Sequence, residues 1–180
     1  MTKQPKIKET TLNKRKLGKN NWRFLEFFGN KYAKILIKNN EIYDVLNASQ
    51  NALDYYCMFY YWVQHGFLEM IVIDQMDGYF FNSPYLETIK KTIKSWGAID
   101  FVELLTEAKK IYNKYKKKLI VAQESSNRYE RLKILAELYI NKEIPEFQPL
   151  LDRYFRILDK ENWIIREYIE KNVNEFAVIV

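Results

Sequence analysis

The sequence is poor in the residues that build covalent or metal-held frameworks. A single cysteine, Cys57, excludes an intrachain disulfide framework and any cysteine-based zinc finger. A single histidine, His65, excludes the two-histidine zinc sites. Only 5 glycines and 4 prolines occur in 180 residues, which argues against collagen-like, loop-rich or low-complexity architecture. The longest apolar stretches, such as Cys57–Val63 and Met70–Ile73, fall far short of the ~20 residues a membrane helix needs. The basic N-terminus lacks the apolar segment of a secretory signal, so a reduced, cytoplasmic setting is expected. No acid/base or nucleophile constellation stands out, so the expectation is a non-enzymatic protein without a metal or cofactor.

Positive charge is missing from one long stretch. Between residues 39 and 89 there is no Lys or Arg, yet there are seven acids: Glu41, Asp44, Asp54, Glu69, Asp74, Asp77 and Glu87. The net charge of +6 equals that of residues 1–20 alone, where seven cations meet only Glu9. The remaining 160 residues balance 22 cations against 22 acids. From Lys109 to Lys133 the sign reverses, with nine cations against Glu124 and Glu130. Such segregation creates fields that steer partners. It leaves two outcomes open: an uncompensated acidic surface, or cancellation where the two stretches pack together.

What is abundant is apolar residues at helical spacing. Trp22, Leu25, Phe28, Tyr32, Ile35 and Leu36 recur at three- and four-residue steps. Ala52–Gln64 is apolar nearly all round and reads as a central buried helix, ended by His65-Gly66. Phe67–Met76 follows, with β-branched Ile71, Val72 and Ile73 leaving helix and strand both open. Ser83-Pro84 starts a further helix and Gly97 stops it; Asp100 opens the next. Asn127 begins a variant capping box with Glu130, Pro145 restarts the chain, and Asp159 is expected to cap a last helix. The fold class is therefore all-α: a single compact domain of about seven or eight helices over 21–180, preceded by a flexible basic arm over 1–20 that buries too little surface to order itself.

Single residues admit ordinary explanations. His65 suits a helix C-terminus, where a cation complements the dipole. Glu69, Asp74 and Asp77 have the oxygen chemistry of a hard-cation site but not the spaced ligand series of a calcium loop. Cys57, among aromatics, behaves as a small apolar group. The Tyr and Trp cluster at 55–62 reads as core, with a dimer face or base stacking as alternatives. The run Lys114–Lys118 is explained equally well as a phosphate-binding patch and as cations complementing a helix end.

Several segments, in order, resemble the DNA mimic protein 19 family of bacteria. They are Tyr61-Trp62-Val63-Gln64-His65-Gly66-Phe67-Leu68, Asp77-Gly78-Tyr79-Phe80-Phe81-Asn82-Ser83-Pro84 and Trp96-Gly97-Ala98. Ala108-Lys109-Lys110-Ile111-Tyr112, Leu151-Asp152-Arg153-Tyr154-Phe155 and the ending Tyr168–Phe176 complete the set, which spans roughly residues 40–177. One departure is local: the family's Asn-Gly-Gly-Phe turn is here Gln64-His65-Gly66-Phe67. The resemblance implies a helical, cytoplasmic, non-catalytic protein with a protein partner, and a homodimer. Mimicry of DNA by the whole surface fits poorly, because it needs dense negative charge and this body is neutral.

Two functional expectations follow. In the first, an acidic, aromatic surface docks a basic partner, such as a DNA-binding regulator or a toxin, through Asp44, Asp54, Glu69, Asp74 and Asp77. In the second, Lys14, Arg15, Lys16 and Lys19 of the arm neutralise nucleic-acid phosphates in a salt-sensitive, sequence-independent way.

Overall fold

A computed structural model describes residues 3–39, 43–124 and 127–180 of the chain. Glu41, one of the seven acids noted above, lies outside them. The protein is all-α, with nine α-helices among the described residues and one pair of two-residue strands. Its contacts divide it into two units: residues 1–58, 87–99 and 158–180, and residues 59–86 and 100–157.

The first unit opens with strand β1 (Lys6–Ile7), helix α1 (Glu9–Lys16) and helix α2 (Asn21–Lys38). Asn20 caps α2 by accepting the Arg23 amide at 2.9 Å. Helix α2 turns Phe24, Leu25, Phe28, Tyr32 and Leu36 inward. Gly29 lies so close to the next helix, α3 (Ala48–Val63), that a Cβ there would meet Cys57 Sγ at 2.9 Å. Helices α4 (Asp77–Phe80) and α6 (Ile99–Glu124) belong to the second unit, apart from Ile99; α5 (Leu86–Ser95) belongs to the first from residue 87. The long α8 (Phe147–Lys171), the short α9 (Val173–Phe176) and strand β2 (Val178–Ile179) finish the chain. In the first unit Phe176 is the meeting point. Its ring lies 6.3 Å from Phe28 and 5.8 Å from Trp96, and its carbonyl accepts the Tyr32 hydroxyl at 3.0 Å.

The leader is built into this unit, which corrects the expectation of a flexible arm. Strand β1 pairs in parallel with β2, and Ile7 and Leu12 are buried at 2% and 3% exposure. Arg166 of α8 donates to the Lys16 carbonyl at 2.6 Å and to that of Gly18 at 2.7 Å, closing off the end of α1. Composition missed this because the surface that orders the leader comes from residues about 150–170 positions downstream.

In the second unit the core is aromatic. The wholly buried Phe59 meets Phe67, Phe80, Phe101 and Tyr154 edge-on, at 5.3–6.0 Å between ring centres. Phe67 also stacks on Phe147 at 5.3 Å. Residues Glu69–Ile73 form a π-helical segment whose Met70, Ile71, Val72 and Ile73 are all buried. This resolves the helix-or-strand ambiguity: a wider turn surrounded by protein accommodates four consecutive apolar residues. Asn127 caps α7 (Arg128–Ile140) by accepting the Tyr129 amide at 2.9 Å. Helix α8 runs through Asp159 without a break, so the helix start expected there is absent. Gly97, with φ +94°, ends the α5 segment as its position suggested.

Burial of phenols ties stability to alkaline pH. Burial pushes Tyr32 and Tyr55 well above the ordinary phenol range. Tyr112 is raised to about 12, first by burial and then by its hydrogen bond to Asp77. The folded chain thus keeps protons that the unfolded chain releases near pH ~10. This stability is fully present below pH ~10 and is lost as pH climbs towards 12. Urea midpoints measured from pH 8 to 11.5 should stay level to about pH 9.5 and then decline, less steeply for Tyr112→Phe.

Candidate functional site

The acids of the lysine-free stretch fall into different environments. Asp44 is exposed on a 3₁₀ turn (Tyr43–Val45) of the first unit. Asp54, expected at a docking surface, is instead a core residue of α3 at 3% exposure. After burial itself, its charge is what most raises the Cys57 thiol. Asp77 is half-buried, and its carboxylate is already engaged. Its carboxylate accepts from the Tyr112 hydroxyl at 2.7 Å, from Asn82 at 3.2 Å and from Gln123. Gln123 further donates to the Ile71 carbonyl at 2.9 Å, so this network fastens α6 to the π-helical segment.

Glu69 and Asp74 come together differently. They flank the π-helical segment and line one cleft with Tyr61, Trp62, His65, Ile73, Arg128 and Leu132, a space of about 410 Å³. The local sequence explains the placement. Helix α3 ends in Tyr61-Trp62-Val63; Val63 turns inward, leaving Tyr61 43% exposed and Trp62 half-buried. Gly66, at φ +118°, reverses the chain, and its amide donates to the Val63 carbonyl at 2.9 Å. Glu69 is then the one residue of Phe67–Ile73 that is not buried. Tyr139 of α7 donates its hydroxyl to Glu69 Oε2 at 2.7 Å and fixes the carboxylate's direction. Burial first, and this hydrogen bond second, push the Tyr139 phenol above its usual range. The cleft wall contributed by α7 could not be read from the sequence. Arg128, Leu132 and Tyr139 carry no local signal distinguishing them from other residues of an amphipathic helix.

A second concavity of the same unit is apolar. Phe67, Leu68, Leu138, Ile144, Phe147 and Leu151 line most of it. Tyr139 belongs to its rim and touches the carboxylate of the first cleft.

The cation-rich stretch Lys109–Lys133 does not cancel the cleft as a block. Lys114 pairs with Glu146 at 2.5 Å and Lys118 with Glu143, both acids of the loop after α7. Lys133 pairs with Glu130 at 3.2 Å within α7. Arg128 is the member of the stretch that lines the cleft. In the leader, Lys14, Arg15 and Lys19 are exposed and Lys16 is half-buried. Arg15 lies over the Phe27 ring at 5.1 Å, so Lys14, Arg15 and Lys16 ride on a docked helix, with Lys19 in the bend that follows it.

Among the described residues, no helix is long and apolar enough to cross a membrane. Fold and site together define an all-α protein that presents a carboxylate- and aromatic-lined cleft to solvent. Residues 44–172 match the family described as DMP19-like protein, and the chain belongs to that family. No curated protein matches it.

Proposed function

We propose that the chain is a non-enzymatic interaction module that docks a basic protein through the acidic, aromatic cleft of its second unit. A cytoplasmic DNA-binding regulator or a toxin is the partner class this reading favours. One observation carries it: Glu69 and Asp74 share a solvent-facing concavity with Tyr61 and Trp62. Aromatic side chains are enriched at interfaces, and acids placed where local cations are few steer a basic partner. Asp44 is a peripheral contact in this reading, whereas Asp54 and Asp77 serve the fold.

The test starts from the full chain immobilised and exposed to lysate, with retained proteins eluted by salt and identified. Binding is then measured between purified components. Asp74→Lys should weaken it about tenfold or more, chiefly through loss of charge complementarity. Reversing Lys14 and Arg15 to Glu should leave it unchanged. If Asp74→Lys has no effect, the docking surface is wrong. Tight, salt-sensitive binding of a short oligonucleotide, lost in the Lys14/Arg15 variant, would favour the nucleic-acid reading instead.

A further inference from the structure

We propose that the cleft is a receptor for one cationic side chain, a lysine or arginine presented by the partner, and that Arg128 occupies it as the chain's own competitor. The inference rests on the reading of a basic protein partner and specifies how the partner is recognised.

The cleft is built for a cation with an alkyl stem. Trp and Tyr rings attract a cation to their faces, and Ile73 and Leu132 supply apolar wall for methylenes. Glu69 is orientated in advance by the Tyr139 hydroxyl at 2.7 Å. The backbone keeps space for that carboxylate, since a Cβ at Gly66 would stand 2.2 Å from Glu69 Oε2. Asp74 is half-buried, and with the described residues its carboxylate forms no hydrogen bond or ion pair. A partly desolvated, unpaired carboxylate gains most from an incoming cation. A space of about 410 Å³ is near the lower end of small-ligand pockets, which suits one long side chain better than an extended segment.

Arg128 is placed to compete and to yield. It is the first residue of α7, where the positive end of the helix dipole opposes a cation. It is exposed, and with the described residues it forms no ion pair or hydrogen bond, although it lines the same cleft as two carboxylates. A cation held by the cleft's field but by no fixed partner is readily displaced.

The experiment follows the indole N–H signals of the full chain by NMR; there are four tryptophans, and Trp62→Phe assigns the relevant one. The probe is a capped tripeptide with a central lysine, compared with the same peptide carrying norleucine. The lysine peptide should shift the Trp62 signal saturably, and the norleucine peptide should not. Asp74→Asn should weaken the lysine peptide about fivefold or more, and Arg128→Gln should tighten it about threefold. Unmoved signals from the other three tryptophans show that the variants are folded. The receptor is overturned if both peptides act alike, if neither saturates, or if Arg128→Gln fails to tighten binding. Should a basic protein bind in an Asp74-dependent way while the peptide leaves Trp62 unmoved, the receptor fails and the partner reading stands. A saturable peptide with no protein partner retained supports the receptor and removes the partner reading.

Discussion

Truncating Phe59 to alanine should destabilise the protein by about 3–5 kcal/mol, as removal of a fully enclosed ring does when its surroundings cannot collapse. Phe59 is 0% exposed and four rings meet it edge-on: Phe67, Phe80, Phe101 and Tyr154. Those four come from separate segments (the post-α3 turn, α4, α6 and α8), so relaxation by one leaves the others facing a void. Loss of edge-to-face contacts adds to the lost transfer energy, at about 0.5–1.5 kcal/mol for a good pair. Total stability of a domain is about 5–15 kcal/mol, so Phe59→Ala removes a large share. Phe59→Leu keeps most of the volume and should cost less than half as much. Urea denaturation of both, with Phe155→Ala at a 48% exposed position as reference, is the measurement. Equal costs for Phe59→Ala and Phe155→Ala would show that the aromatic cluster is not the unit's centre.

Gly66→Ala should damage fold and cleft together. At φ +118° an L side chain is strained, at about 1–3 kcal/mol for such a backbone position. The new Cβ would also stand 2.2 Å from Glu69 Oε2 and 3.0 Å from its Cδ. Glu69 has to swing away, which breaks the hydrogen bond from Tyr139. The expected result is a loss of about 2 kcal/mol or more, together with weaker partner binding. The two parts are separable in a double-mutant cycle with Glu69→Ala, which relieves the clash but leaves the backbone strain. Gly78→Ala is the control, because a Cβ there has nothing within 4 Å and no unusual φ. Its effect should be near zero or slightly stabilising. If Gly66→Ala is as mild as Gly78→Ala, the turn does not hold Glu69 in place.

The helices were legible because their signals are local. Asn127 is the cap of α7, Gly97 ends α5, and Ala52–Gln64 lies almost wholly within α3. Apolar spacing needs no knowledge of distant chain. Asp159 misled because an N-cap residue also sits comfortably on the exposed side of a continuous helix. Among the acids, charge alone could not separate Asp54 from Asp74. One is buried on α3 and the other closes the π-helical segment beside a cleft.

Composition and periodicity were enough to establish an all-α protein with its one cysteine inside a buried helix and a lysine-free acidic middle. They could not order the leader, because Ile7 and Leu12 look isolated until β2 and Arg166 meet β1 and α1. Nor could they reveal that Glu69 and Asp74 share a cleft with Trp62 and Arg128, residues up to 66 positions apart. Helix formation depends on neighbours three and four residues away, which one sequence displays. Burial and charge pairing depend on which distant faces meet, and only the folded chain decides that.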